Sequence, residues 1–289
     1  MPSTKVNNMK KILVIGLVGN SYFYECDHLP TKGETIQAPN LYTEIGGKGF
    51  NQAYTIYTLG GDVKFLTTIG NDQTGSYTKE EITKLGVDTT YIIKSKKTAV
   101  ASIITDSQGN NEVIVYPGAE PSIQDIKKNI SLIEEADIIL LQLELPLDVT
   151  NYLIEESNRL GKIIILNPAP AVSKQLPLDK IHYLTPNKVE AEMLFGENYL
   201  EALLKSKIKT AVTLGEDGVL CIEDGKVVKI EGIPQNTRDT TGAGDVFNGA
   251  LAFYLAQGDD FITATKKANL LASKSVTKQH VLESIKSLV

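Results

Sequence analysis

Residues 239–250 read Asp-Thr-Thr-Gly-Ala-Gly-Asp-Val-Phe-Asn-Gly-Ala, between a turn-prone polar stretch and an apolar helical run that reaches Tyr254. Gly242, Ala243 and Gly244 can bring bare backbone amides close to an anion. At a helix start those amides lack partners inside the helix, and the helix dipole also favours negative charge. Asp245 follows on the first turn. A carboxylate beside such a cradle suits a base that takes a proton from a hydroxyl attacking a phosphate. The plain alternative is a turn followed by a favourable first-turn acid. A second glycine-rich helix start lies in the other half, where residues 46–53 read Gly-Gly-Lys-Gly-Phe-Asn-Gln-Ala. Phe50, Ala53, Tyr54 and Tyr57 then fall at helical spacing, and Gly60-Gly61 ends the run. Lys48 and Asn51 offer side chains that can hydrogen-bond hydroxyls. Asn187 and Glu190 make an Asn-x-x-Glu pattern at a third helix start, which a capping asparagine and a first-turn glutamate would also produce.

Such residues need a frame. Short apolar runs at Ile12–Val18, Val63–Ile69, Asp137–Leu143, Ile163–Asn167, His182–Thr185 and Ala211–Leu214 read as buried parallel strands. Helical stretches at Ile123–Glu134, Asp148–Leu160 and Val189–Phe195 lie between them, and Leu160-Gly161 is a helix stop. The alternation predicts a mainly parallel sheet with helices on both faces. Open sheets of this kind bind ligands beyond the carboxyl ends of their strands. Asn167, Asn187 and Gly215 follow such ends. Two regions, Tyr22–Thr43 and Thr98–Tyr116, are extended and lack helices; the second predicts a hairpin around Asp106–Asn110.

Composition narrows the partners. A chain of 289 residues with 42% hydrophobic residues can bury one large core. The formal charge of -6 argues against nucleic acid. The only arginines are Arg159 and Arg238, which disfavours a substrate that already carries a phosphate. Cys26 and Cys221 read as reduced thiols, and His28, His182 and His280 lack metal-ligand spacing. The apolar stretch from Lys11 to Val18 is too short for a membrane span, and with no secretion signal the expected location is the cytoplasm. No Gly-x4-Gly-Lys-Ser/Thr occurs, nor a clean Gly-x-Gly-x-x-Gly after the first strand.

Gly46–Ala53 and Asp239–Ala250 resemble the two signatures of the ribokinase/PfkB carbohydrate kinase family, most closely its ribokinase branch. Pro30–Thr35, Gln142–Glu144, Asn167–Pro170, Thr185–Glu190 and Thr213–Gly218 agree in order and spacing, so the resemblance runs from about Lys11 to about Thr277. It implies a single ribokinase-like α/β domain over residues 1–289, a three-layer α/β/α sandwich with a mainly parallel central sheet. A small β-sheet lid would come from about 20–45 and 91–118, and its edge could join two copies as a homodimer. The implied reaction is ATP-dependent phosphorylation of a sugar hydroxyl. Asp245 would be the base and Gly242, Ala243 and Gly244 the anion hole. Gly47, Lys48, Asn51 and Glu144 would contact the sugar, and Asn187, Thr213, Gly215, Gly218 and Asn269 the nucleotide. Glu190 would help to organise Mg²⁺, and Asp239 with Thr241 would form half of a K⁺ site. Two alternatives stand beside this reading: a nucleoside kinase using the aromatics of Tyr22–Tyr24, and a non-catalytic sugar or nucleotide sensor.

The chain departs from the family at two places. Ser21 stands where an aspartate usually grips two sugar hydroxyls, and Gly19 where an asparagine is usual. Serine offers one hydroxyl in place of two carboxylate oxygens. Poor use of D-ribose is therefore expected unless Asn20 or Asp27 takes over. The second departure is Val276–His280, which lacks the Gly/Ser-rich loop that completes the family's cation site; Lys278 stands about where a cation-binding carbonyl is expected and His280 where a loop glycine is.

Overall fold

The computed structural model describes residues 9–108, 110–171 and 176–289. In chain order the strands are β1 (Ile12–Ile15), β2 (Gly19–Glu25), β3 (Asn40–Gly46), β4 (Val63–Gly70), β5 (Ile92–Ser95), β6 (Ala99–Thr105) and β7 (Asn111–Tyr116). They continue as β8 (Ile138–Leu141), β9 (Ile163–Leu166), β10 (Tyr183–Leu184), β11 (Lys209–Thr213), β12 (Val219–Glu223) and β13 (Lys226–Ile230). The main sheet runs β13-β12-β11-β10-β9-β8-β1-β4-β5. It is parallel except for the antiparallel β12 and β13 at one edge.

The central strands are continuous branched aliphatic runs, Ile-Leu-Val-Ile in β1 and Ile-Ile-Leu-Leu in β8, because both faces are covered. Alternate side chains feed two cores. Ile12, Val14, Ile138 and Leu140 pack with Phe50, Phe247 and Phe261 from the helices Lys48–Thr58, Ala243–Ala256 and Phe261–Ser275. Leu13, Ile15, Ile139 and Leu141 pack on the other face with Ile126, Val149 and Leu153. Each such side chain contributes roughly 1.5–3 kcal/mol by leaving water. The result is the expected three-layer α/β/α sandwich. Among the described residues no helix is long and apolar enough to cross a membrane.

The second sheet runs β3-β2-β6-β7, with β2 and β6 parallel and the outer pairs antiparallel. The hairpin expected around Asp106–Asn110 joins β6 to β7. The sequence reading starts the second lid piece at about residue 91, which is too early. Ile92–Ser95 instead pairs parallel with Thr67–Gly70 of β4 and closes the main sheet. The apolar pair Ile92-Ile93 gives it a face to pack there, so the small sheet begins at Ala99.

One expected helix is broken. Ile123–Lys128 and Ile130–Glu135 are separate helices that meet at Asn129. The Asn129 side-chain amide donates to the Asp125 carbonyl at 2.9 Å. Local side-chain bonding of this kind competes with the helical ladder.

Two glycines set how closely the Lys48–Thr58 helix approaches the end of β1. A Cβ on Gly49 would lie 2.6 Å from the Gly16 Cα. Replacing glycine by alanine within a helix usually stabilises by roughly 0.5–1 kcal/mol. Here Gly49→Ala is expected to destabilise by ~1–3 kcal/mol, because backbone must move. A urea midpoint that rises in Gly49→Ala would show that this approach is no constraint.

Candidate active site

β1 is flanked by β4 and β8, and the chain departs to opposite sides of it. A crevice at the carboxyl end of such a strand is where open α/β sheets take ligands. The segment after β1 meets the start of the Lys48–Thr58 helix there. Gly47, the N-cap, has φ 106° and ψ 138°, and the Phe50 amide donates to the Leu17 carbonyl at 3.1 Å. The Ala243–Ala256 helix starts at the same place, from Gly242 in the left-handed region at φ 77°. That backbone suits glycine.

Asp245 lies between the two helix starts and is 6% exposed. Asn51 Nδ2 donates to its Oδ2 at 2.9 Å, and Gln52 Nε2 donates to its Oδ1 at 3.0 Å. Each oxygen keeps a further acceptor site. Gln52 Nε2 also donates to Asn167 Oδ1 at 3.1 Å, and Gln52 Oε1 accepts from Gln142 Nε2 at 2.6 Å. Gln52 is fully buried, and every polar atom of its amide is engaged. Sequence reasoning did not assign a role to Gln52 or Gln142. The signal was two adjacent amides, Asn51 and Gln52, inside an otherwise apolar helical stretch.

Beside Asp245, the Ala243 amide donates to the Thr240 carbonyl at 3.2 Å. The amides of Gly244 and Asp245 have no backbone partner among the described residues. Asn248 Nδ2 holds the Gly244 carbonyl at 2.8 Å, and Thr185 Oγ1 donates to Asn248 Oδ1.

Glu144 follows β8. Its Oε2 accepts from the Lys48 amide at 2.8 Å, so it caps the Lys48–Thr58 helix from another element. Burial pushes Glu144 up to about 7, with Lys48 opposing and Asp245 adding to the rise. Burial pulls the Lys48 ammonium down, but Asp245, Glu144 and Glu190 outweigh it and leave its pKa raised. Asn187 and Glu190 form a reciprocal capping box, each bond 2.8 Å, at the start of the Lys188–Phe195 helix. The plain reading of that pair therefore holds locally. The box uses Glu190 Oε2 and Asn187 Oδ1 and leaves Glu190 Oε1 and Asn187 Nδ2 for other partners. Burial raises the pKa of Glu190.

Two cavities meet at Asp245. The larger, about 360 Å³, lies under the small sheet and is lined by Ser21, Gly47, Lys48, Asn51, Glu144, Thr241, Gly242 and Asp245, with Asn20 and Glu44 also on its wall. The smaller, about 130 Å³, is lined by Lys48, Asn187, Glu190, Thr213, Gly242, Gly244 and Asp245. Lys48, Gly242 and Asp245 belong to both. Gly215, Gly218, Asn269, Asp239 and Ala243 line neither. Gly215 and Gly218 flank the turn after β11, at φ 62° and 92°. Asn269 Nδ2 donates to the Glu231 carbonyl at 3.1 Å. Asp239 Oδ1 accepts from the Thr241 amide at 2.8 Å. Asp27 is exposed and stands off the larger cavity, whereas Asn20 is buried and bonds Thr78 Oγ1 at 2.6 Å.

The profile of the family described as pfkB family carbohydrate kinase matches residues 9–288. The chain is 36% identical to the ribokinase of Bacillus subtilis over 274 residues, 93% of each chain. It is 33% identical to the deoxyribokinase of Salmonella typhi over 279 residues, 91% of each. A solved Arabidopsis thaliana ribokinase complexed with ribose and ATP superposes with a TM-score of 0.85 at 28% identity, covering 97% of both chains.

The raised Glu144 carboxyl has a thermodynamic signature. Its folded value near 7 lies above the ordinary 4.5 that holds when unfolded. Between those values the folded protein binds the extra proton, so stability falls as pH rises from about 4.5 to about 7 and levels above. Glu144→Gln should flatten that slope in urea unfolding measured from pH 4.5 to 8. An identical slope in the variant would mean that Glu144 titrates normally.

Proposed function

We propose that this chain, which belongs to the pfkB family of carbohydrate kinases, transfers the terminal phosphoryl group of ATP to a hydroxyl of an unphosphorylated sugar. The observation that supports this most directly is the place of Asp245, on the shared wall of two cavities and held by two amide donors. The sugar occupies the larger cavity and the phosphates approach through the smaller. Asp245 accepts the proton of the attacking hydroxyl. The amides of Gly244 and Asp245, at the positive end of the Ala243–Ala256 helix, stabilise charge on the transferring group. Lys48, reaching both cavities, adds a fixed positive charge. In-line positioning supplies much of the remaining acceleration.

The lining favours a neutral polyol. Glu44, Glu144 and Asp245 face the larger cavity with Lys48 as a counter-charge. Carboxylates accept from hydroxyls and repel a second phosphate. Gly47, Asn51, Glu144 and Ser21 are the sugar contacts of this reading. Thr213, Asn187, Gly215, Gly218 and Asn269 belong to the nucleotide end.

Among the described residues no group of three or more His, Cys, Asp or Glu is placed to hold a metal. Glu190 and Asn187 would hold waters of an Mg²⁺ that is bound mainly through phosphates, and the ion would neutralise the phosphate oxygens. Asp239 Oδ1 already accepts from the Thr241 amide, which leaves Oδ2 as the oxygen that would face a monovalent cation in this reading.

A nucleoside acceptor fits less well. Of Tyr22, Phe23 and Tyr24, Phe23 alone lines the cavity. One of its faces is stacked on Tyr42, at 4.5 Å and 4°. The small sheet serves as a lid on a single domain in this reading, and its exposed edge strand β7 offers a surface for a second copy.

ADP release with a panel of pentoses, hexoses and nucleosides tests the reaction; no acceptor above background would refute it. Asp245→Asn should lower kcat by ~10²–10⁴-fold, with ATP binding by calorimetry within a few-fold of wild type. A variant that keeps more than about a tenth of wild-type kcat, far above that range, removes Asp245 from the role of base. Closure of the lid should slow hydrogen exchange in β2, β3, β6 and β7 when the acceptor sugar is added. Unchanged exchange in a sample that is turning over would contradict a mobile lid.

A further inference from the structure

The serine at position 21 leaves one end of the larger cavity without its expected carboxylate, yet an acid stands directly across from it. Ser21 on β2 pairs with Glu44 on β3. Directly opposed residues of an antiparallel pair project to the same face, with Cβ atoms roughly 4.5–5.5 Å apart. Both residues line the larger cavity. Gly46, two positions further along β3, lies on the same face, and a Cβ there would come 3.1 Å from Ser21 Oγ. The bare backbone at Gly46 thus keeps this corner open.

Glu44 is aimed as well as near. Its Oε1 accepts from the Leu282 amide at 3.2 Å, which ties the carboxylate to the chain after His280. Burial raises its pKa, the Leu282 and Val281 amides and His280 favour the charged form, and Asp239 opposes it. Only backbone amides donate to this half-buried carboxylate among the described residues, and hydroxyl groups in the cavity would supply further donors. Glutamate is one methylene longer than aspartate, which suits reach from the neighbouring strand.

We propose that Glu44 is a specificity-determining residue: its carboxylate accepts hydrogen bonds from sugar hydroxyls other than the one facing Asp245, in place of the acid that position 21 lacks. The inference rests on the reading that the larger cavity binds the sugar. Its substrate class is a neutral sugar with free hydroxyls at the end held by the small sheet. The poor ribose use expected from Ser21 alone is then offset from the opposite strand.

The test compares wild type with Glu44→Gln, Glu44→Ala and the double variant Glu44→Ala/Ser21→Asp. ADP release is measured over the sugar panel, and thermal unfolding is recorded for each protein. Glu44→Gln keeps an acceptor for Leu282 and removes only the charge. Both single variants should raise KM for the best wild-type sugar at least tenfold, with KM for ATP within twofold. Returning a carboxylate at position 21 should recover at least threefold of that loss. A sugar KM within twofold of wild type in both single variants, whatever their melting temperatures, would show that Glu44 only anchors the C-terminal segment. A loss shared equally by sugar and ATP, without recovery in the double variant, would likewise overturn the proposal. Wild type inactive towards every sugar would instead refute the kinase reading itself, a result distinct from an active enzyme insensitive to Glu44.

Discussion

Two helix starts converge on one buried carboxylate, and the rest of the site follows from that meeting. The Lys48–Thr58 helix supplies Asn51 and Gln52, and the Ala243–Ala256 helix supplies Asp245. The helices can meet only because glycines remove side chains between the two helices and between the Lys48–Thr58 helix and the end of β1. A Cβ on Gly249 would lie 2.7 Å from the Gln52 carbonyl, and one on Gly49 would collide with Gly16. Burying a charge is costly unless it is paired and hydrogen-bonded. Here two amide donors and two positive helix ends offset that cost. The amide network runs on through Gln142 and Asn167, at the ends of β8 and β9. The orientation of Asp245 is therefore referred to the rigid centre of the sheet.

The same crowding creates an acid-rich site around Lys48. Asp245, Glu144 and Glu190 all act on it, and burial pushes both glutamates up. Two of the three acids also cap helices, Glu144 across the fold and Glu190 within a box. Structural and chemical roles are thus not alternatives at these positions, because a carboxylate has two oxygens and a cap uses one. On the proposed reading, phosphates entering the smaller cavity meet few fixed positive charges. Cations brought with the nucleotide would then supply the neutralisation that a cluster of arginines gives elsewhere, and the chain has only two arginines.

Much of this was legible in the sequence because local patterns and global fold agree. The branched aliphatic runs announced the buried strands, and the glycine-rich stretches at 46–53 and 239–250 announced the two helix starts. What was hidden depended on contacts distant in sequence. Gln52 reads as one more polar helix residue until the fold brings it to Asp245, 193 positions away. Ile92–Ser95 reads as part of an extended region, and only its pairing with β4 assigns it to the main sheet. The break at Asn129 arises from one side-chain hydrogen bond, which the helical periodicity of its neighbours masks. Glu44 is silent in the sequence for a similar reason, since only the register of β3 against β2 sets it opposite Ser21.

Register also explains how recognition could change without disturbing the reaction centre. Asp245 and its amide partners sit on helices anchored to the main sheet, where packing penalises small shifts. The small sheet contacts the cavity through one face of β2, β3, β6 and β7. On such a face an acid can move from one strand to the position opposite and remain within a few ångströms of its former place. A shift of one residue along the same strand would instead send it to the other face. The pair Ser21–Glu44 fits that rule: on the proposed reading the carboxylate stands on β3, opposite Ser21, and the wall of the cavity keeps its charge.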